Sequence, residues 1–359
     1  MKIGIIHGFV GGGGGTETTL LALIEALIEH KHTVSLYTVS KPTINLPKIR
    51  VQSIFPFRLP AFGLYQRYLE SKLTEKAQDD DLIVQVSGGL ALPHKKDQKI
   101  IIYCHHDFRN ETEKDVTKYK GIWSAYYKPY YILSQKFVSQ IGDKNIILVA
   151  NSKFIQSSLK DRFAKDSVVI YPPVDVDTFY NDGKKDQEVL IISRYSQEKN
   201  LEFAIDVLND MDKPCTIIGN TKTKVNEIYY ESLATKIKNS KSTKILLMKN
   251  IGRDKVIEKL KKSKVYFHAS PETFGISVVE SIAAGCIPVV PNNSAHKETV
   301  PFDELRYEPD NKKDAQEKIK KALLGEYDNL LDKLRVSTSN YSKQYFKESI
   351  TTFIESVGI

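Results

Sequence analysis

The sequence predicts an α/β protein of two doubly wound, Rossmann-like halves with a ligand cleft between them. Three observations carry that prediction. Short β-branched runs alternate with helical apolar spacing, the pattern restarts after Val174, and 359 residues exceed what one hydrophobic core usually serves. Hydrophobic residues make up 41% and charged residues 27% with no low-complexity block, so the chain is expected to fold throughout.

In the first half, strands are expected over residues 2–7, 33–37, 82–86, 100–104 and 145–150. In the second they are expected over 189–193, 215–218, 244–248, 265–268 and 287–290. Pro172 and Pro173 lack amide donors and restrict their neighbours, which suits a linker near residues 171–180. The boundaries that follow are an N-terminal domain over 1–175, a C-terminal domain over 176–335 and a last helical segment over 336–359. Its apolar spacing at 340–357, with no strand after it, suits packing on either domain.

No apolar run approaches the roughly 18 residues that span a bilayer, and Met1–Ile6 turns polar too soon for a signal peptide. A cytoplasmic setting is the expectation. Cys104, Cys215 and Cys286 lie far apart among apolar neighbours, as reduced core residues do. The net charge of +8 steers anions in general and by itself selects no partner.

The first strand runs into a glycine-rich turn, residues 8–15, followed by Thr16, Glu17 and a helix expected over 18–29. Glycine lets backbone approach a ligand closely, and a first helical turn offers unpaired amides, so a phosphate at Gly13, Gly14 and Gly15 is one reading. A flexible tight turn is the other. The dinucleotide fingerprint fails in every frame, residues 36–40 carry no ribose-binding acid, and no lysine completes a P-loop.

The most informative segment is residues 270–280. A strand ending at His268 leads through Ser270, Pro271 and Glu272 to a helix expected over 276–284, closed by Gly285. Glu272 precedes the helix and Glu280 lies within it. The amides around Phe274, Gly275, Ile276 and Ser277 would form an anion seat at the helix start, where the dipole is worth about 0.3–1 kcal/mol. Glu272 would accept from sugar hydroxyls and Glu280 from a ribose diol. A solvated Glu280 is the plainer alternative, against which its apolar neighbours Val278, Val279, Ile282 and Ala283 argue.

This Glu-x7-Glu segment resembles the signature of retaining family 4 glycosyltransferases, which have the two-Rossmann GT-B fold. Further residues fit in the family's order over nearly the whole chain: the glycine-rich loop with Glu17; Tyr103, Cys104 and His105; Val149 to Ser152; Tyr171 to Val174; and Arg194 to Asn200. Together they most resemble GDP-mannose-dependent α-1,2-mannosyltransferases that extend lipid-linked oligosaccharides. The resemblance implies an acceptor-side N-terminal domain, a nucleotide-sugar-binding C-terminal domain and a last helix crossing back onto the first. It implies that Arg194 and Lys199 clamp the donor diphosphate and that His105 contacts the transferred sugar. Both cations follow an expected strand, so they stand at a carboxyl-end loop and would neutralise a diphosphate without metal. A plain surface pair, and a merely structural His105, are the competing readings. Ser193 departs from the family's frequent glycine, and residues 292–298 lack its frequent Gly-Gly pair, although Glu298 fits.

Asp-x-Asp occurs at Asp79 to Asp81 and at Asp175 to Asp177, the first before a strand and the second in the expected linker, both away from a ligand edge. No spacing indicates a zinc site. Aromatics and lysines concentrate in residues 119–131, which suits a membrane interface engaging a lipid-linked acceptor, or ordinary helix packing.

The expected function is retaining, metal-independent transfer of a hexose, mannose first, from a nucleotide diphosphate sugar to a glycan or lipid-linked acceptor, with no cofactor and no nucleic acid. The expected setting is the cytoplasm, with the cytoplasmic face of a membrane as the narrower alternative. A GT-B epimerase or phosphorylase and a non-catalytic sugar-nucleotide binder are the alternatives; nucleic-acid binding rests on net charge alone.

Overall fold

The computed structural model describes residues 1–358 apart from 12, 47, 58–65, 87–94, 96, 109–127, 129–131, 133, 134, 137, 212 and 241–243. The chain divides into two units, Met1–Pro173 with Gln344–Ile359, and Val174–Lys343. The aromatic and basic stretch 119–131, apart from Lys128, lies outside the described residues.

Unit 1 contains β1 Lys2–Ile6, β2 Thr33–Ser40, β3 Arg50–Phe55, β4 Leu82–Gln85, β5 Lys99–Cys104, β6 Ile146–Ala150 and β7 Ser167–Val169. They form one parallel sheet in the order β3-β2-β1-β4-β5-β6-β7. Parallel strands are covered on both faces, so they need continuous apolar runs, and Ile3, Ile5 and Ile6 are wholly buried. The winding reverses between β1 and β4. In open α/β sheets ligands bind outside the carboxyl ends of strands at such a reversal, where the glycine-rich turn follows β1.

Unit 2 contains β8 Asp186–Ile192, β9 Cys215–Gly219, β10 Ile245–Lys249, β11 Ser263–Phe267, β12 Ile287–Pro291 and β13 Arg306–Tyr307. Their order is β10-β9-β8-β11-β12-β13, again parallel. Here the reversal falls between β8 and β11. The loops after these two strands carry Arg194 to Asn200 and His268 to Gly275, so sheet topology alone brings them together.

The structure adds β3, β7 and β13 to the expected strands. All three lie toward sheet edges: β3 is partly exposed along its length, and β7 and β13 have only 3 and 2 residues. The expected linker is partly folded, since Val176–Phe179 is helical and Phe179 is buried. Asp175 accepts a hydrogen bond from the Thr178 hydroxyl at 2.7 Å, and Asp80 from the Tyr37 hydroxyl at 2.8 Å, so both Asp-x-Asp stretches have structural contacts. The three cysteines are free and buried, and burial pushes each thiol pKa up.

The helix Lys343–Gly358 packs within unit 1. Phe346, Ile350 and Ile354 join the core containing Leu20, Leu27 and Tyr103, and Phe346 meets the Tyr103 ring edge-on at 6.1 Å. Polar contacts fix its register: Lys347 reaches Glu29 at 2.5 Å, and Lys99 donates to the Val357 carbonyl at 2.6 Å. No helix among the described residues is long and apolar enough to cross a membrane.

Candidate functional site

In unit 2, β11 ends at Phe267 and the chain turns through His268 to Gly275 into the helix Ile276–Ala283. Gly275 makes that turn possible. Its φ of 89° is left-handed, and an added Cβ would meet Val278 at 3.3 Å and His296 at 3.6 Å. The Gly275 carbonyl accepts from Val278 and Val279 amides at 3.0 and 3.3 Å, opening the helix, so the amides of Ile276 and Ser277 precede its first internal bond.

Glu272 sits at the centre of a polar cluster. Its Oε1 meets Lys199 Nζ at 2.5 Å and His268 Nε2 at 3.0 Å, its amide donates to Ser294 Oγ at 3.0 Å, and its carbonyl accepts from the Ala295 amide at 3.1 Å. Burial alone would raise its pKa. His268 and Lys199 more than offset that and hold the carboxyl at about 2, so it is ionised at any ordinary pH. Lys199 closes the 3-10 turn Gln197–Lys199 after β8, and the left-handed Asn200 behind it reaches the Ala269 carbonyl at 3.4 Å.

Arg194 stands apart from this pair. Its side chain is 59% exposed and its guanidinium meets Glu198 at 3.2 Å, four residues along the same loop. Phe274 contributes main chain only, because its side chain is buried edge-on against Tyr341 at 5.2 Å. Ile276 opens the helix, and Ser277 Oγ accepts from the Tyr266 hydroxyl at 2.8 Å.

Glu280 is buried, as its apolar neighbours imply, and has a partner the sequence did not reveal. Arg253 Nη2 lies 2.5 Å from its Oε1, with the guanidinium over the Phe179 ring at 4.8 Å. Burial raises the Glu280 pKa and Arg253 opposes the rise. Two histidines were also missed. His268 bonds Glu272, while the wholly buried His296 bonds the Ser270 carbonyl at 3.0 Å and packs edge-on to His268 at 5.3 Å. The only sequence signal for them was position: His268 directly follows a strand at the ligand edge, and Arg253 opens the helix after β10.

In unit 1, Gly15 is the first residue of the helix Gly15–Glu29, which starts three residues earlier than expected because Gly14 caps it. Gly14 has φ 131° and ψ 172°, a conformation essentially confined to glycine. Gly14→Ala is therefore expected to cost about 1–3 kcal/mol of stability, readable in urea denaturation, even though open space surrounds its Cα. The amides of Gly11 and Gly13 donate to Glu17 Oε2 at 2.9 and 3.0 Å. These loop donors thus turn toward an acid of their own chain.

His105 follows β5 and is half-buried, its ring 5.0 Å from that of Tyr103. Its Nε2 has no hydrogen-bond partner among the described residues. Burial, with His106 and His7 nearby, lowers its pKa to about 3, so the ring is neutral. Among the described residues, no three His, Cys, Asp or Glu side chains converge as metal ligands would.

Comparison with known proteins gives the family and the fold. Residues 13–178 match the family described as Glycosyltransferase Family 4, and residues 177–345 match Glycosyl transferases group 1. A GDP-Man:Man(3)GlcNAc(2)-PP-Dol alpha-1,2-mannosyltransferase of Dictyostelium discoideum is 23% identical over 277 residues, covering 70% of this chain and 54% of that protein. The Alpha-1,3/1,6-mannosyltransferase ALG2 of Candida glabrata is 30% identical over 242 residues, covering 57% and 50%. The chain thus spans about half the length of these curated relatives. Among solved structures, sucrose-phosphate synthase of Thermosynechococcus elongatus superposes with a TM-score of 0.80 at 13% identity, over 99% of this chain and 98% of that one. Anabaena Alr3699/HepE, in complex with UDP and glucose, superposes with a TM-score of 0.75 at 15% identity, over 99% and 100%.

Proposed function

Because the chain belongs to the family 4 and group 1 glycosyltransferases and has their GT-B fold, we propose that it transfers mannose from GDP-mannose, with retention and without metal, to a glycan or lipid-linked acceptor. One observation carries the site assignment. Lys199 and an ionised Glu272 meet at the sheet reversal, immediately before a helix whose first-turn amides face the ligand edge.

In this reading the diphosphate rests on the amides of Gly275, Ile276 and Ser277, and Lys199 and the exposed Arg194 neutralise the charge that grows as the sugar–phosphate bond breaks. These cations supply what a metal ion supplies in other transferases. Glu272 accepts hydrogen bonds from the transferred sugar, and Glu280 from the ribose, its carboxylate held by Arg253. The acceptor oxygen attacks the face the diphosphate leaves, and its proton passes to the departing phosphate oxygen. His105 keeps the role the resemblance implies, contact with the sugar, which a neutral imidazole meets by hydrogen bonding rather than by charge. Mannose as the sugar, GDP as the carrier and a lipid-linked acceptor rest on the named relatives. The proposed setting is the cytoplasmic face of a membrane.

The test is a thermal-shift panel of nucleotide diphosphate sugars with EDTA present, followed by NMR of the product formed on an oligomannose acceptor. A ligand at a hundred times its Kd stabilises by about 2.7 kcal/mol. GDP-mannose should give the largest shift and an α-linked product. A larger shift with a UDP-sugar would replace the donor, a β-linked product would overturn retention, and loss of turnover in EDTA would overturn metal independence.

A further inference from the structure

Unit 1 holds a cavity of about 150 Å³ under the glycine-rich loop, lined by His7, Val10, Gly11, Glu17, Ser40 and Thr43 among others. We propose that this cavity binds one sugar ring of the acceptor through its hydroxyl groups, with His7 and Ser40 as the recognising side chains. The proposal rests on the glycosyltransferase reading and adds to it the place and the chemistry of acceptor recognition.

Two buried polar atoms point to a ligand. His7 and Ser40 are 5% and 3% exposed, and His7 Nδ1 and Ser40 Oγ have no hydrogen-bond partner among the described residues. Buried polar atoms are almost always paired, so two unpaired ones beside one cavity mark a site completed by something else. The space exceeds the ~30 Å³ share of one water molecule several times over.

The lining selects the chemistry. A phosphate would need the loop amides, but those of Gly11 and Gly13 already donate to Glu17, whose carboxylate forms part of the wall and repels an anion. A cation would meet Lys41 in the same lining. A hydroxyl both donates and accepts, so it satisfies His7 in either neutral tautomer and Ser40 in either role. Burial keeps His7 neutral, against the pull of Glu17. Phe9 and Val10 add apolar wall for the C–H face of a sugar ring. Gly11 makes room for the arrangement: with φ 115° it lies so close to Thr43 that any Cβ would overlap the threonine side chain.

The experiment uses the whole chain and two probes, methyl α-D-mannopyranoside and inorganic pyrophosphate, in saturation-transfer NMR, with Ser40→Ala and His7→Asn as variants. The mannoside should bind the parent chain and weaken about tenfold in Ser40→Ala, which removes one oxygen and leaves the fold intact even where His7→Asn does not. In turnover assays Ser40→Ala should raise KM for the acceptor by a similar factor and leave KM for the nucleotide sugar unchanged. Ser40-dependent binding of pyrophosphate, mannoside binding indifferent to Ser40, or a rise in donor KM alone would each overturn the proposal. The mannoside measurement needs no turnover. A chain that binds it in a Ser40-dependent way but cleaves no donor would sink the transferase reading and spare the pocket, whereas donor turnover with an unchanged acceptor KM would do the reverse.

Discussion

Alanine in place of Lys199 is expected to lower kcat at saturating donor by about 10²–10³-fold, the loss of roughly 2.7–4 kcal/mol typical when one preorganised donor to a developing oxyanion is removed. Lys199 is well placed for that role because its side chain is only 15% exposed and its ammonium is held 2.5 Å from Glu272. The substitution also acts on the folded state. It leaves a largely buried carboxylate with His268 as its remaining side-chain partner, at 3.0 Å. Breaking a fully buried pair costs about 3–5 kcal/mol, and the retained histidine and partial exposure should bring this case to the lower edge of that range or below it. Steady-state kinetics and urea denaturation separate the two effects. Glu272→Ala should show a comparable kinetic defect, and the double variant Lys199→Ala/Glu272→Ala should lose much less than the product of the single losses, because the two side chains act as a unit. Fully multiplicative losses would mean that the pair does not work together.

Acid should weaken unit 2 through the same carboxylate. Glu272 has its pKa depressed from 4.5 to about 2, so the folded state binds its proton less readily than the unfolded chain does. A group depressed in the native state contributes stability that is complete above the unfolded pKa and disappears as pH falls through the folded one. The window therefore runs from about pH 5 down to about pH 2, and the difference corresponds to roughly 3 kcal/mol. The groups facing the carboxylate are Lys199 from the loop after β8 and His268 from the end of β11, while the Ser294 hydroxyl accepts from the Glu272 amide. Glu272→Gln removes the titration but keeps the shape. Urea midpoints measured at pH 6 and pH 3 should fall less for the variant than for the parent, and parallel decreases would assign the acid sensitivity elsewhere.

How much of this was legible in the sequence depends on whether a feature is local. Strands such as Ile3 to Ile6 and Val189 to Ile191 are covered on both faces, which demands unbroken β-branched runs and makes them easy to read. At the edges that demand relaxes. The segment Arg50–Phe55 mixes charged, polar and apolar residues because part of it meets solvent, and Arg306–Tyr307 is too short to show any period. Glu272, Gly275 and Glu280 were visible because a strand, a glycine and a helix follow one another within a few residues. The joining of Lys199 to Glu272 could be inferred only by placing both at carboxyl ends, since β8 and β11 are neighbours despite the two strands between them in sequence. Arg253, His268 and His296 gave no comparable signal. Their contacts arise from packing around the Glu-x7-Glu helix, and nothing in their own neighbourhoods announces it. In the glycine-rich loop the acid that accepts from the Gly11 and Gly13 amides stands only 6 and 4 residues away, at Glu17, a pairing that spacing does not announce.

The helix Lys343–Gly358 completes unit 1 with residues that are translated after all of unit 2. During synthesis the strip formed by Leu20, Leu27 and Tyr103 must wait for Phe346, Ile350 and Ile354 while residues 174–343 emerge, an interval of roughly ten to thirty seconds at common elongation rates. The unit translated first is therefore finished last. Its nascent form exposes an apolar groove of known composition for the whole of that time, which makes it the part of the chain most dependent on a holding chaperone and most open to borrowing the same helix from another copy.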